Sequence, residues 1–412
     1  MNTDCTTFAL GNGLRVIHQE DKTTSMVALA VLYHTGAKNE DPEHTGLAHL
    51  FEHLMFAGSL NAPDFDSALQ KAGGINNAWT SNDFTCFYDM VPAQNAETLF
   101  WLESDRMHLL DISSEKFNVQ RNVVVEEFYQ QHINKPYGQL MHKMRELAYT
   151  THPYRWPVIG MEPSHIQNAN LDLVRQFYTD HYSPDNATLA IVGNLSFDKA
   201  EELTHKWFDD IPSRNISPSI IPVEPEVTAP RQAVFTDNVP RTLVSIGFPM
   251  DGYGSSGYYA ADLISDILAS GQSSIFYKNL ILGTTLFDSI DASVWGSEHP
   301  GLFHIMAFLK DGVDENVAIE QIQKTIIAAV HSGFSEYDRI RAINRMESFR
   351  IIDNMGTMPR VQNLAMSFKH AEKPGLEMEN YKSLSLDTLY TEAVKLFDLQ
   401  RQISVIYRPY KS

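Results

Sequence analysis

Three residues near the start of this 412-residue chain have the types and spacing to hold a metal ion and move a proton. They are His49, Glu52 and His53, within Gly46-Leu47-Ala48-His49-Leu50-Phe51-Glu52-His53-Leu54-Met55-Phe56-Ala57. The stretch from Leu47 to Ala57 contains neither Pro nor Gly and is filled with apolar residues, so it reads as a helix. Two histidines at i and i+4 then lie one turn apart on one face, and Glu52 shares that face. A pair of imidazoles so placed can grip one zinc ion, and a carboxylate beside them can take a proton from water. Three polar groups on one face of an otherwise apolar helix need partners, and a cation supplies the charge that a half-buried carboxylate requires.

The order H-x-x-E-H inverts H-E-x-x-H and is itself a zinc-peptidase signature. Catalytic zinc usually has three protein ligands and one open position, so a third ligand must come from another element. The best candidates lie in Gln120-Arg121-Asn122-Val123-Val124-Val125-Glu126-Glu127-Phe128-Tyr129, at the expected start of a second helix. Spacing alone does not choose between Glu126 and Glu127, and His132 is a third, weaker choice.

Four stretches together resemble the pitrilysin, or M16, metallopeptidases in their short, two-domain form. Thr45 through Ser59 is similar to the family's zinc site. Gly73-Gly74-Ile75-Asn76-Asn77-Ala78-Trp79-Thr80-Ser81 is similar to its substrate-binding edge strand. Arg121 through Glu127 resembles its third-ligand helix, and His152-Pro153-Tyr154 with Pro157-Val158-Ile159-Gly160 resembles a loop of the short members. The resemblance implies a zinc set of His49, His53 and Glu127, with Glu52 as general base. It implies that Asn77, Ala78 and Thr80 bind an extended peptide, which adds to the strand edge through its main chain. Trp79 by itself reads as a core residue. One departure is Gln120, where the family carries an acid. Ligands of this type would also accept cobalt or manganese.

These residues need elements to position them. Met26 to Tyr33 reads as a strand ahead of the histidine helix, and Ala187 to Gly193 as another. Between Ile211 and Gln232 lie Pro212, Pro218, Pro222, Pro225 and Pro230, the composition of an extended linker. Beyond it the pattern repeats. Thr242 to Phe248 echoes the first strand, Tyr258 to Leu268 echoes the helix, and Gln402 to Tyr407 echoes the second strand. The expected fold is α+β, with two related halves that each pack a mostly antiparallel sheet against helices. In chain order these are a zinc-bearing domain at 1–211, a linker at 212–232 and a second domain at 233–412.

The second copy has no histidine in its helix. The resemblance further implies an Arg and a Tyr, seven positions apart after a Gly-x-Ser-Ser turn, that polarise the substrate. The turn is similar to Gly271-Gln272-Ser273-Ser274, but the two positions hold Ile281 and Asp288. An Ile cannot donate a hydrogen bond, and an Asp repels a developing oxyanion. The expectation is half an enzyme: a zinc-bearing subunit whose partner, a second M16-type chain, carries the Arg and Tyr. Two alternatives stand beside it. One is a self-sufficient homodimeric peptidase that uses a tyrosine such as Tyr253, Tyr258, Tyr259 or Tyr277. The other is a non-catalytic assembly subunit, against which His49, Glu52, His53 and Glu127 all speak.

Composition narrows the remaining classes. With 32 Lys and Arg against 51 Asp and Glu, the net charge is −19, which argues against nucleic acid as a partner. No apolar run reaches the length of a membrane span. Two cysteines, Cys5 and Cys86, are too few for a disulfide framework and suit a reducing compartment. The N-terminus lacks the basic start and apolar core of a secretory signal, so the cytoplasm is expected, or the periplasm if a signal has been removed. His108, His142 and His152 read as packing or surface residues.

Overall fold

The computed structural model describes residues 4–371 and 376–410. Two sheets organise it. The first has six strands: β1 (Thr6–Ala9), β2 (Arg15–Glu20), β3 (Met26–Tyr33), β4 (Ile75–Thr80), β5 (Thr85–Pro92) and β6 (Ala187–Gly193), in the spatial order β1-β2-β6-β3-β5-β4. The second has five: β7 (Arg231–Asp237), β8 (Leu243–Met250), β9 (Phe287–Trp295), β10 (Gly301–Leu309) and β11 (Ile403–Pro409), in the order β7-β11-β8-β10-β9. Each contains one parallel pair, β2 with β6 and β7 with β11, and is otherwise antiparallel. The strand echoes in the sequence occupy matching places: β3 and β8 sit mid-sheet, and β6 and β11 sit beside them. The fold is α+β in two related halves, as expected.

Strand β3 shows why the first sheet is a middle layer. Val27, Leu29, Val31 and Tyr33 join the cluster that holds the helix Leu47–Phe56, while Ala28, Ala30 and Leu32 join a second cluster on the opposite face. Alternation at period two turns successive side chains to opposite faces, so a strand covered on both sides reads as an unbroken apolar run.

The covering layers are drawn from unexpected parts of the chain. The second cluster of the first sheet is completed by Val361, Leu364, Ala365 and Phe368, from the helix Thr357–Ala371. Conversely Leu140, Met144 and Ala148, from the helix Leu140–Ala148, pack with Leu243, Leu302, Ile403, Val405 and Tyr407 of the second sheet. By packing, one unit comprises residues up to Tyr129, Trp156–Pro222 and Arg350–Leu376. The other comprises Gln130–Arg155, Val223–Phe349 and the chain from Glu377. Packing and chain order therefore divide the molecule differently: the segments at 130–155 and 350–376 each cross the boundary drawn at the Pro-rich segment. That segment has no helix or strand between Phe208 and Arg231. Within the second unit its Glu224 carboxylate accepts from the backbone N–H groups of Thr150, Thr151 and His152 at 2.8–2.9 Å.

Candidate metal centre

The histidine helix spans Leu47–Phe56. Leu47, Ala48, Leu50, Phe51, Leu54 and Met55 are buried, and His49, Glu52 and His53 fall on the remaining, half-exposed face. The helix starts at Gly46, which has φ 92° and no side chain with which to cap it. A Cβ at Gly46 would meet the carbonyl oxygen of Ile159 at 2.7 Å and the side chain of Ile166 at 2.6 Å, so both space and backbone angle call for glycine. The capping role passes to Glu40, a buried residue. Its two carboxylate oxygens accept from Gly46 N–H at 2.9 Å and Ala48 N–H at 2.8 Å. Burial pushes its pKa up to about 8 against these two hydrogen bonds. Sequence reading missed Glu40. The available signal was an acid placed a few residues ahead of a helix whose N-terminal residue is Gly.

Glu127 comes from the helix Ser114–Phe128. It stands in the last turn of that helix and not near its start, a correction to the sequence reading. The start is set by Ser113, whose hydroxyl accepts from Lys116 N–H at 3.3 Å. Beyond Glu127 the backbone runs on into a π-helical turn, Tyr129–Ile133, and the half-buried carboxylate itself calls for nearby positive charge. Glu127 finds it in the histidines. Its Oε2 lies 3.3 Å from His49 Nε2 and 3.5 Å from His53 Nε2. Glu126 is exposed, and His132 instead turns Nδ1 to the carbonyl of Gly138 at 3.2 Å.

His49, His53 and Glu127 each offer one ligand atom, and these atoms lie within 4.8 Å of one another. Burial alone would depress the His49 imidazole, but Glu127 and Glu52 beside it carry its pKa up to about 9. Hydrogen bonds from His49 and His53 hold the Glu127 carboxyl well below the usual carboxylate range. Two imidazoles thus converge on one carboxylate oxygen, in an arrangement that favours net positive charge between them. A two-nitrogen, one-oxygen donor set of this kind fits a zinc ion.

Glu52 Oε2 lies 3.6 Å from His49 Nδ1 and accepts a hydrogen bond from the hydroxyl of Thr80. Thr80 ends β4, the outermost strand of its sheet on that side. Ala78 packs toward the histidine-helix cluster, whereas Trp79 turns to the other face, where its indole N–H donates to Gln362 Oε1 at 2.8 Å. Trp79 is half-buried there, in keeping with a packing role. Asn77 is exposed, and its Oδ1 accepts from Ala78 N–H at 2.8 Å. Among the described residues the Gln120 side chain makes no hydrogen bond or ion pair.

In the second unit, Ile281 packs at the rim of the core and Asp288 on β9 forms an ion pair with Arg241. Tyr253, Tyr258 and Tyr259 pack ring against ring, with centroids 5.2–5.8 Å apart. His142 and His152 are buried and His108 is exposed. No helix among the described residues is long and apolar enough to cross a membrane.

Comparison with known proteins agrees with this architecture. Residues 15–160 match the family model described as insulinase (peptidase family M16), and residues 168–346 match the one described as the peptidase M16 inactive domain. The chain is 31% identical over 327 residues to the zinc protease PqqE of Helicobacter pylori, spanning 77% of this chain and 72% of that one. A solved protease structure from H. pylori superposes with a TM-score of 0.91 at 25% identity, covering 99% of this chain and 100% of that one. An M16 inactive-domain structure from Pseudomonas fluorescens has the same fold, with a TM-score of 0.88 at 15% identity and 99% of each chain covered. With a relative this similar over most of both sequences, the chain belongs to the M16, or insulinase-type, peptidase family.

Proposed function

We propose that the chain is the metal-bearing subunit of a zinc-dependent endopeptidase that hydrolyses short or unfolded peptides. The observation that carries this reading is the convergence of His49 Nε2, His53 Nε2 and Glu127 Oε2, with the Glu52 carboxylate alongside. His49, His53 and Glu127 would hold the ion. When bound, zinc supplies Lewis acidity toward the scissile carbonyl and toward water. Glu52 takes the proton of the attacking water on its carboxylate and passes it to the leaving amine. The open edge of β4 receives the substrate as an added strand, so main-chain pairing holds the peptide in register without demanding much of its sequence.

The Arg and Tyr that polarise substrate in active relatives come, in this reading, from a second M16-type chain. The Arg241 ion pair of Asp288 and the apolar packing of Ile281 support that division of labour, since neither position offers a free donor. Each missing donor costs a factor of about a hundred to a thousand in rate. The test is cleavage of a mixed library of quenched peptides by the zinc-loaded chain alone, with Glu52→Gln as control. Stoichiometric zinc with near-silence is the expected outcome, and activity then appears on adding the partner. Robust cleavage by the chain alone that Glu52→Gln abolishes would instead mean a complete enzyme that needs no second kind of chain.

A further inference from the structure

Thr80 occupies an unusual junction. The hairpin pair Ser81 and Phe84 is hydrogen-bonded, with Ser81 N–H donating to Phe84 C=O at 2.7 Å. Hydrogen-bonded and non-hydrogen-bonded pairs alternate along an antiparallel ladder, so Trp79 pairs inward to Cys86. The main-chain groups of Thr80 and Ala78 then face the open edge. The Ala78 N–H is taken up locally by Asn77 Oδ1, which fits an outward-facing donor. The side chain of Thr80, meanwhile, spends its single hydroxyl proton on Glu52 Oε2. Among the described residues Glu52 Oε1 has no hydrogen-bond partner.

The end of the strand is also firmly built. Ser81 Oγ accepts from the N–H groups of Asp83 and Phe84 at 3.2 and 2.9 Å. The carbonyls of Ser81 and Asn82 accept from Ala37 and Lys38 N–H at 3.1 and 2.8 Å. Those residues lead directly into Glu40, the cap of the histidine helix. Thr80 and Glu52 are thus placed by one continuous framework.

We propose that Thr80 is a positioning residue for the proton-transfer step. Its hydroxyl ties down Glu52 Oε2 and leaves Oε1 as the atom that takes the proton, while its main chain pairs with the peptide. A half-buried glutamate side chain otherwise samples several rotamers, and immobilising it costs conformational entropy. A hydrogen bond to a charged group is strong enough to overcome that cost. One residue would then join substrate register to base orientation. This proposal rests on the peptidase reading for its kinetic arm but not for its structural one.

The test compares Thr80→Val, which keeps shape and loses the hydroxyl, with Thr80→Ser, which keeps the hydroxyl. Both are measured as the zinc-loaded chain together with the partner that restores activity, or alone if the chain proves self-sufficient. The valine variant is expected to bind one zinc, to keep KM within about twofold, and to lose about 10- to 100-fold in kcat. Thr80→Ser is expected to recover most of that loss. A raised KM with intact kcat would overturn the proposal in favour of substrate binding by the hydroxyl, and unchanged kinetics would overturn it outright. Crystal structures of wild type and Thr80→Val decide the point without activity. Displacement of the Glu52 carboxylate in the valine variant is expected, and an unmoved Glu52 overturns the proposal even if no peptide is ever cleaved. Absence of cleavage by wild type under every condition would sink the peptidase reading and leave this structural comparison intact.

Discussion

Trp79 and Gln362 stand 283 positions apart in sequence and are joined by a 2.8 Å hydrogen bond between indole and amide. The strand that flanks the candidate base is therefore held from behind by a helix near the other end of the chain. Gln362→Leu removes the acceptor and leaves a half-buried indole N–H without its partner. The expected cost is about 1–2 kcal/mol in stability, with zinc stoichiometry unchanged. Urea unfolding followed by tryptophan fluorescence and a metal assay on the folded protein check both statements.

Metal binding should be proton-linked. A histidine must be neutral to ligate, and Glu127 and Glu52 carry His49 up to about 9 in the metal-free site. At pH 7 the ring then holds a proton that zinc must expel. Zinc affinity is expected to rise about tenfold per pH unit up to about pH 9. Calorimetry in buffers of different ionisation enthalpy reads the released proton. His53→Ala should lower the affinity by at least the 10- to 100-fold that loss of even an outer-shell partner costs.

Glu40 makes stability fall with rising pH. Its folded pKa of about 8 lies above the ordinary value near 4.5, so folding is favoured by the protonated form. That contribution is fully present below pH 4.5 and is lost as pH rises to about 8, on the order of 4–5 kcal/mol across the window. Thermal melts of wild type and Glu40→Gln over this range should differ in slope, with the Gln variant nearly flat in this component. Glu40→Ala should be less stable than either, because Gly46 and Ala48 N–H lose their acceptor at the start of the histidine helix.

His304 acts in the opposite direction in the second unit. It is buried on β10, with Nε2 at 2.7 Å from Ser245 Oγ and its ring stacked on Trp295 at 3.6 Å between centroids. Burial lowers its pKa to about 3. A depressed folded pKa gives stability that is full above pH 6.5 and is lost as pH falls toward 3, again on the order of 4–5 kcal/mol. Replacement by Gln should lessen the acid sensitivity of the second sheet, read by hydrogen exchange of β8 and β10 amides between pH 6.5 and 4.

The local half of the candidate centre was legible in the sequence because helical periodicity is local. Leu47, Leu50, Phe51 and Leu54 bury one face, and that alone turns His49, Glu52 and His53 together. Glu127 was legible only through the family resemblance, since nothing in spacing brings one helix end to another helix face. The start of its helix was misread because Ser113 carries the capping signal, well upstream of the acidic pair. Glu40 escaped notice because an acid in a polar loop normally reads as a solvated residue, and only the fold buries it against two N–H groups. The hydroxyl of Thr80 could be assigned to a strand but not to Glu52, because strand register is a non-local property. The repeat of strands and helix was readable, whereas the helices Leu140–Ala148 and Thr357–Ala371 cover sheets that lie across the Pro-rich segment from them.

That reciprocal exchange has a consequence for how such a chain can change over generations. Val361, Leu364, Ala365 and Phe368 shield one face of the sheet that bears the candidate centre, so a stop codon before them would uncover Ala28, Ala30 and Leu32. The copy whose repeat helix lacks histidine is free to lose its own chemistry, yet it is not free to disappear. Selection on the first sheet reaches across the Pro-rich segment to residues 361–368, and a natural split at that segment would yield two fragments that each remain incomplete without the other.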